Sequence, residues 1–460
     1  MCVSPLTTPF SPTPQGDIGD IFYVIHRGTV NVTKTDDNGN ENVLITLGEG
    51  EVFGEQALIK KEPRKANIVA KGAVECYYLE SQDFYAMLGE FVEKFNKIND
   101  RRLSMAQFLV GSLADLEMVQ PLGRGTFGSV FLCQQKGTKT VMALKCLDKK
   151  ALFDSGQHHY VRREIIALEN FQHPFLASYY GVILSPRKIC LLLEFIPGGE
   201  LWTYLYSTMK AEDRGSFGGM KLLPATLYAG TVILALEHIH GLGYSYRDLK
   251  PENLLINSRG YLKLVDFGFA KQVPFMNKSS TVQYRTFTLC GTPDYMAPEL
   301  VLTQGHDRSV DYWAFGVLVY ELLCGHTPFE SSNQQRTFEK IVHSQKHLGF
   351  PPSFDPHCKS LIRRLLHPNA ALRMGALQNG IDDIRHHAFF SIQNVDFDAL
   401  LAKQTPMPYI PPTFVGNASV GYASKIEPLD LEFERTVSVE EDYSSLFEDL
   451  TNSELLEARS

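Results

Sequence analysis

No C-x-x-C pair occurs in this chain: its eight cysteines, Cys2, Cys76, Cys133, Cys146, Cys190, Cys290, Cys324 and Cys358, are scattered. That spacing suggests neither a zinc nor a disulfide framework, so a reducing, intracellular setting is expected. Basic residues are not in excess either. The formal net charge is −8, which leaves no electrostatic footprint for nucleic acid and suits a basic partner better. The most apolar run, Trp313 to Cys324, contains Glu321 and falls short of the ~18 residues of a bilayer span, so no membrane span is expected. Residue 2 is Cys, not the Gly that N-myristoylation needs, and the first residues lack the charged-then-apolar order of a signal peptide. The chain therefore reads as cytoplasmic. There is no long internal repeat.

What is there exceeds one domain. The 460 residues pass the ~250–300 at which a single core stops growing, so two or three units are expected. A composition of 44% apolar and 21% charged residues excludes disorder throughout. Residues 1–15 carry Pro5, Pro9, Pro12 and Pro14 among Ser and Thr and read as a disordered tail. From Gly16 to Leu79, short β-branched and aromatic runs (Ile21–Ile25, Thr29–Thr33, Val43–Leu47, Ile68–Ala70) alternate with Gly, Asn and Asp, as in a small all-β unit. Residues 81–117 lack proline and space Phe84, Leu88, Phe91, Phe95 and Ile98 at helical steps. Strands dominate again from Glu117 to about Tyr206, with one helical segment at Gln157–Asn170, and helices dominate beyond Leu222. Two lobes are expected there, followed by a proline-rich and then acidic tail.

Gly123, Gly125 and Gly128 form a G-x-G-x-x-G. A Rossmann turn would open a helix after it and place an acid about 20 residues on. Here Val130-Phe131-Leu132 continues as a strand, and the next run, Val141 to Lys145, ends in lysine. That order folds a backbone loop over ATP phosphates. Glu164, on the expected helix, is placed to pair with Lys145. Further on come Tyr246-Arg247-Asp248-Leu249-Lys250-Pro251-Glu252-Asn253, then Asp266-Phe267-Gly268, then Ala297-Pro298-Glu299.

With these motifs in this order, the chain resembles the eukaryotic protein kinases from about Glu117 to Phe390. It is closest to the cyclic-nucleotide-dependent branch of the AGC group, through Tyr246, Leu289-Cys290-Gly291-Thr292-Pro293 and Pro197-Gly198-Gly199-Glu200-Leu201-Trp202. The resemblance implies a two-lobed catalytic domain over 116–390 that uses ATP and Mg2+. Leu122, Gly123, Arg124, Gly125, Gly128, Val130, Ala143, Lys145, Glu194, Ile196, Glu200 and Asn253 would bind the nucleotide. Asp248 would orient the acceptor hydroxyl and take its proton, and Lys250 would steady the transferring phosphoryl. Lys145, held by Glu164, would neutralise the nearer phosphates, with Asn253 and Asp266 on the metal ions. Such chemistry needs positioned cations and one acceptor carboxylate, because the charge spreads over oxygens. Every one of these groups is present, which weighs against an idle kinase fold acting as a nucleotide-sensing scaffold.

The same resemblance puts Glu200, Glu252 and Glu321 opposite arginines that precede the phosphorylated residue, so protein substrates rich in Arg or Lys are expected. Asp294 departs from the Glu usual after the Thr-Pro pair. Thr288 stands where relatives are phosphorylated, with Thr286 as the competing site, and a phosphate there would reach Arg247 and Lys271. Asp311 and the pair Glu299 and Arg373 read as structural. Residues 391–460 resemble the AGC C-terminal extension, with Leu450 in place of a second Phe and with Thr436 and Ser438 as candidate phosphosites.

Phe53-Gly54-Glu55-Gln56-Ala57-Leu58 and Pro63-Arg64-Lys65-Ala66 combine a close-approach glycine, an acid for a ribose hydroxyl and an arginine for a cyclic phosphate. They resemble the phosphate-binding cassette of cyclic-nucleotide-binding domains. The implied nucleotide contacts are Gly54, Glu55, Ala57, Arg64 and Ala66. That domain would occupy 16–115 with its linker helices, giving an α+β multidomain chain: an all-β roll with flanking helices, a bilobal kinase and a C-terminal tail. Lys65 follows Arg64 where cGMP binders have Thr and cAMP binders Ala. cGMP is preferred because one chain joins this module to this kinase. Neither a second module nor an Arg-rich inhibitory stretch precedes it, so the N-terminus reads as incomplete and partial activity without nucleotide is expected.

Overall fold

Seven short strands arise where β-branched and aromatic residues alternate with polar ones in the first eighty positions. In the computed structural model, which describes residues 2–4, 21–35, 41–49, 52–53, 67–80, 112–125, 127–273, 286 and 291–412, they are β1 (Cys2–Ser4), β2 (Ile21–Arg27), β3 (Val30–Thr35), β4 (Glu41–Leu47), β5 (Val52–Phe53), β6 (Asn67–Ala70) and β7 (Glu75–Glu80). They lie within the first of two units, Met1–Leu109 and Val110–Ser460. Two antiparallel sheets form, in the orders β1-β7-β2-β5 and β4-β3-β6. Tyr23, Ile25, Val30, Phe53, Ile68, Val74 and Cys76 make their core, with Tyr23 and Phe53 stacked at 4.9 Å.

β1 corrects the expectation that residues 1–15 are wholly a disordered tail, since Cys2 lies opposite Tyr78 in the β7 ladder. These three residues precede Pro5, so each keeps its N–H for the ladder, and the strand ends at the first proline. The helical periodicity at 81–111 lies outside the described residues.

In the second unit a five-stranded antiparallel sheet has the order β11-β12-β10-β9-β8. Its strands are β8 (Leu116–Gly125), β9 (Gly128–Gln135), β10 (Val141–Asp148), β11 (Tyr179–Leu184) and β12 (Lys188–Glu194). Helix α1 (His158–Asn170) starts one residue inside the expected segment, with Gln157 as its N-cap. Gly128 pairs with Leu147 in the β9–β10 ladder, and a Cβ on it would fall 1.8 Å from the carbonyl oxygen of Cys146. Because that neighbour is backbone, Gly128→Ala is expected to cost ~1–3 kcal/mol, seen as a lower thermal unfolding midpoint.

The helical lobe is built around α2 (Leu222–Gly241) and α3 (Ser309–Cys324). All sixteen residues of α3 are buried, which explains an apolar run with no polar face. α2 also corrects the sequence reading: it is long and apolar enough to cross a membrane, yet 72% of its apolar window is buried inside the lobe. Its apolar surface is consumed by packing on α3 and on the short strand β13 (Leu262–Leu264). Residues 392–412 lie back on the same unit. Tyr409 stacks on Tyr204 at 4.1 Å, and Arg259 and Tyr261 donate to the carbonyls of Lys403 and Thr405. Residues 413–460, with Leu450, Thr436 and Ser438, lie outside the described residues.

Candidate active site

The β8–β9 hairpin sets Gly123 opposite Val130, Arg124 opposite Ser129 and Gly125 opposite Gly128. A Cβ on Gly123 would meet nothing within 4 Å, and one on Gly125 only the Gly128 oxygen at 3.9 Å. Protein packing therefore does not demand glycine at these two positions. Leu122 and Val130 are half-buried beside them, while Ala143 and Ile196 are buried. Glu194 ends β12, and its carboxylate accepts from the N–H and hydroxyl of Ser178 and from Lys263. That side chain is committed within the protein, so a nucleotide contact at Glu194 would fall to its main chain.

β10 carries Lys145 between Val130 and Leu191 on the neighbouring strands. Its ammonium donates to Glu164 on α1 at 2.6 Å and to Asp266 at 3.2 Å. Burial alone would lower the Lys145 pKa, but the two carboxylates overcome it and hold it above the ordinary lysine value. Asp266 is held below the usual carboxylate range, chiefly by Lys145. Its backbone is left-handed, with φ 57°, while the adjoining Phe267 is buried against Phe171 and Tyr246. Tyr246 donates to the Val265 carbonyl at 2.6 Å, which ties the two loops together.

A buried aspartate on α3 shapes the catalytic loop. The carboxylate of Asp311 accepts from the N–H groups of Tyr246 and Arg247 at 2.9 and 2.7 Å, from the Ser245 hydroxyl at 2.9 Å and from His240 at 2.8 Å. These bonds fix the loop where Arg247 takes a left-handed φ of 72°. Burial would raise the Asp311 pKa, yet these donors hold it below the usual range. Asp248, next along, meets Lys250 at 3.0 Å and accepts from the Asn253 amide at 2.8 Å. Burial pushes the Asp248 pKa up, and Lys250 and Asn253 offset part of the rise.

Asn253 spends its amide hydrogens on Asp248, which leaves its Oδ1 as an oxygen ligand, and the side chain of Asp266 is 48% exposed. Among the described residues no three His, Cys, Asp or Glu converge. A protein offering two oxygens fits Mg2+, which prefers to complete its shell with phosphate and water.

Thr292 was not assigned a role from sequence. Its hydroxyl lies 3.0 Å from the Lys250 ammonium, 42 residues away, at the mouth of the catalytic loop; the Gly-Thr-Pro run was its only signal. Thr286 is 4% exposed, accepts from Lys271 at 2.7 Å and forms a β-bridge with His306. Thr288 lies outside the described residues, as do Gly54, Glu55, Ala57, Arg64 and Ala66. Glu200 is exposed, Glu252 half-buried and Glu321 4% exposed; partial desolvation of the Glu200 carboxyl and then Glu252 push its pKa up, and Lys250 offsets part of the rise.

Residues 116–390 match the family model described as protein kinase domain, and residues 14–91 match the one described as cyclic nucleotide-binding domain. The chain belongs to the protein kinase family, and it carries a cyclic-nucleotide-binding domain ahead of the catalytic one. It is 37% identical over 422 residues to cGMP-dependent protein kinase, isozyme 1, of Drosophila melanogaster, covering 86% of this chain and 53% of that one. To cGMP-dependent protein kinase 2 of Homo sapiens it is 36% identical over 431 residues, 86% of this chain and 54% of that one. To cAMP-dependent protein kinase type 3 of Saccharomyces cerevisiae it is 36% identical over 338 residues, 74% of this chain and 79% of that one. The chain thus spans about half the length of the cGMP-dependent relatives it matches.

Proposed function

We propose that this chain transfers the γ-phosphoryl group of ATP to serine or threonine in Arg- or Lys-rich proteins, under the control of a cyclic nucleotide. The observation that carries the reading is the join of Lys145 to both Glu164 and Asp266, within one unit that also holds the Asp248, Lys250 and Asn253 cluster. In this reading Lys145 faces the nearer phosphates, while the hairpin glycines let the backbone close over them. Asn253 and Asp266 hold Mg2+, which supplies charge neutralisation on the phosphate oxygens. Asp248 accepts the proton of the attacking hydroxyl, and Lys250 steadies the group in transfer. Glu200, Glu252 and Glu321 receive basic side chains of the substrate. Phosphate on Thr288 would order the activation segment.

For the effector, cGMP is preferred on the strength of the two cGMP-dependent relatives and the fusion of the two domains. cAMP is the competing choice, since Lys65 matches neither pattern and a cAMP-dependent kinase is also a relative. Phosphorylation of an arginine-rich peptide, measured for wild type and Arg64→Ala with cGMP, cAMP or neither, separates them. Wild type is expected to respond at lower cGMP than cAMP, and Arg64→Ala to need ~10-fold or more nucleotide, for loss of a charge-assisted phosphate contact. Equal response to both nucleotides refutes the cGMP preference. Absence of transfer by wild type phosphorylated on Thr288 refutes the kinase reading in favour of a nucleotide-sensing scaffold.

A further inference from the structure

Two thiols meet between interior strands of the five-stranded sheet, directly behind the lysine of the candidate active site. In the β10–β12 ladder Cys146 stands opposite Cys190, and the Cys190 thiol donates to the Cys146 sulfur at 3.2 Å. Both residues are buried, 2% and 0% exposed. Successive side chains of a strand point to opposite faces, so Cys146 backs onto the position that aims Lys145 at Glu164 and Asp266. A buried cysteine usually serves as a small apolar residue. Cys133 on β9 fits that use: its thiol donates to the Met142 carbonyl at 3.5 Å, and burial, then the neighbouring Cys146, pushes its pKa up to about 12. Cys146 and Cys190 differ in that each has a second sulfur in contact.

The ladder already holds the pair at bonding range. Opposed residues of antiparallel strands have Cα atoms about 4.5–5.5 Å apart, inside the ~4.4–6.8 Å that a disulfide spans. From 3.2 Å the sulfurs need to close by about 1.1 Å to bond. Burial selects the oxidant: during local opening of the sheet it admits a molecule little larger than water, such as hydrogen peroxide, and not a bulky disulfide. The Cys146 sulfur gives up its proton and attacks one peroxide oxygen; an S–O bond forms, the O–O bond breaks, and the departing hydroxide takes the proton as water. The Cys190 sulfur then attacks the Cys146 sulfur. An S–S bond forms, the S–O bond breaks, and the hydroxyl leaves as a second water with the Cys190 proton. The two thiols lose two electrons, and the peroxide gains them.

We infer that Cys146 and Cys190 form a reversible oxidation site, and that their disulfide lowers phosphoryl transfer by shifting Lys145. The bond draws β10 toward β12 at the residue next to Lys145, whose own neighbour on β12, Leu191, adjoins Cys190. On its other side Cys146 pairs with Ser129, next to Gly128 of the glycine hairpin, so the same displacement reaches both the lysine and the loop. The Lys145 ammonium lies at 2.6 and 3.2 Å from its two carboxylates, which leaves little slack, and a misplacement of about 1 Å in a positioning group costs up to ~10²-fold in rate. The effect on activity rests on the reading of Lys145 as the phosphate-facing lysine; formation of the disulfide does not.

The test treats the full chain, first reduced and then freed of reductant, with hydrogen peroxide. Peptide mapping by mass spectrometry without reductant is expected to find the Cys146 and Cys190 peptides joined, with the loss of two hydrogens. In parallel, kcat/KM for ATP with a serine peptide as acceptor is expected to fall ~10-fold and to recover with dithiothreitol. Cys146→Ala and Cys190→Ala each remove one sulfur; both are expected to keep the activity of reduced wild type and to lose the response to peroxide. Thermal unfolding reports the fold of each variant, and the map of wild type decides the linkage without them. Absence of the joined peptides overturns the site. Joined peptides with unchanged activity, or variants that peroxide inactivates as it does wild type, overturn the control of Lys145. A reduced wild type that transfers no phosphate refutes the kinase reading instead, and the map still decides whether the disulfide forms.

Discussion

Asp248→Asn is expected to lower peptide phosphorylation by roughly 10²–10⁴-fold, with little change in KM or in the unfolding temperature. The carboxylate sits among donors, with Lys250 at 3.0 Å and the Asn253 amide at 2.8 Å. In the proposed reading these contacts orient a basic oxygen toward the acceptor hydroxyl. An asparagine fills the same volume, so packing survives. It can satisfy Asn253 only by presenting its carbonyl there, which turns its NH2 toward Lys250 and the acceptor and replaces the base with a donor. Steady-state phosphorylation of one peptide, combined with thermal unfolding, checks this; a fall of less than tenfold would remove Asp248 from the role of base. The acid limb of the wild-type rate is tied to the same group. Because burial raises the Asp248 pKa, activity is expected to fall with decreasing pH at a value above the ordinary aspartate range.

The second large effect is on stability. Arg373→Ala is expected to cost about 3–5 kcal/mol and to lower the unfolding midpoint of the catalytic unit by roughly 10 °C. Arg373 is fully buried and forks onto Glu299 at 2.7 and 2.9 Å. It also donates to the carbonyls of Ser309 and His367, at 2.8 and 3.2 Å, and lies 5.2 Å from the Trp313 ring centroid. Removing it strands the Glu299 carboxylate and two carbonyls in a dry interior. Arg373→Lys is expected to recover little, since one ammonium cannot reproduce the planar fork. The paired change Glu299→Met with Arg373→Met is expected to recover more than Lys does, because it leaves no uncompensated charge. Calorimetry of the three variants tests the order, and an alanine variant that melts like wild type would show the pair to be dispensable.

Short-range chemistry was the legible part. The glycine loop, Lys145, the Tyr246–Asn253 run and the Asp266-Phe267-Gly268 turn read as a kinase site because each is a contiguous segment whose residue types answer a local need. Glu164 was legible as soon as periodicity placed it on a helix, and the structure sets it 2.6 Å from Lys145. The strands of the first unit follow the alternation of β-branched residues closely: Ile21–Arg27 and Asn67–Ala70 lie where such runs begin. Composition misled where burial decides. Leu222–Gly241 is a core helix whose apolarity would serve equally well in a membrane, and Cys2–Ser4 joins a sheet because β7 offers it an edge, which no local propensity announces.

Sequence by itself determined the family, the order of the two domains and the candidates for the catalytic roles, since those reside in residue types at short spacings. Tertiary structure alone decided which groups share a charge. It brought Asp311 beneath a loop 64 residues away in sequence, committed the Glu194 carboxylate to Ser178 and Lys263, and set Tyr206 against Glu321 across 115 residues. The reason is the range of the forces. Backbone propensities and loop geometry act over a few residues, whereas the protonation and reach of a buried carboxylate depend on whatever the folded chain packs around it.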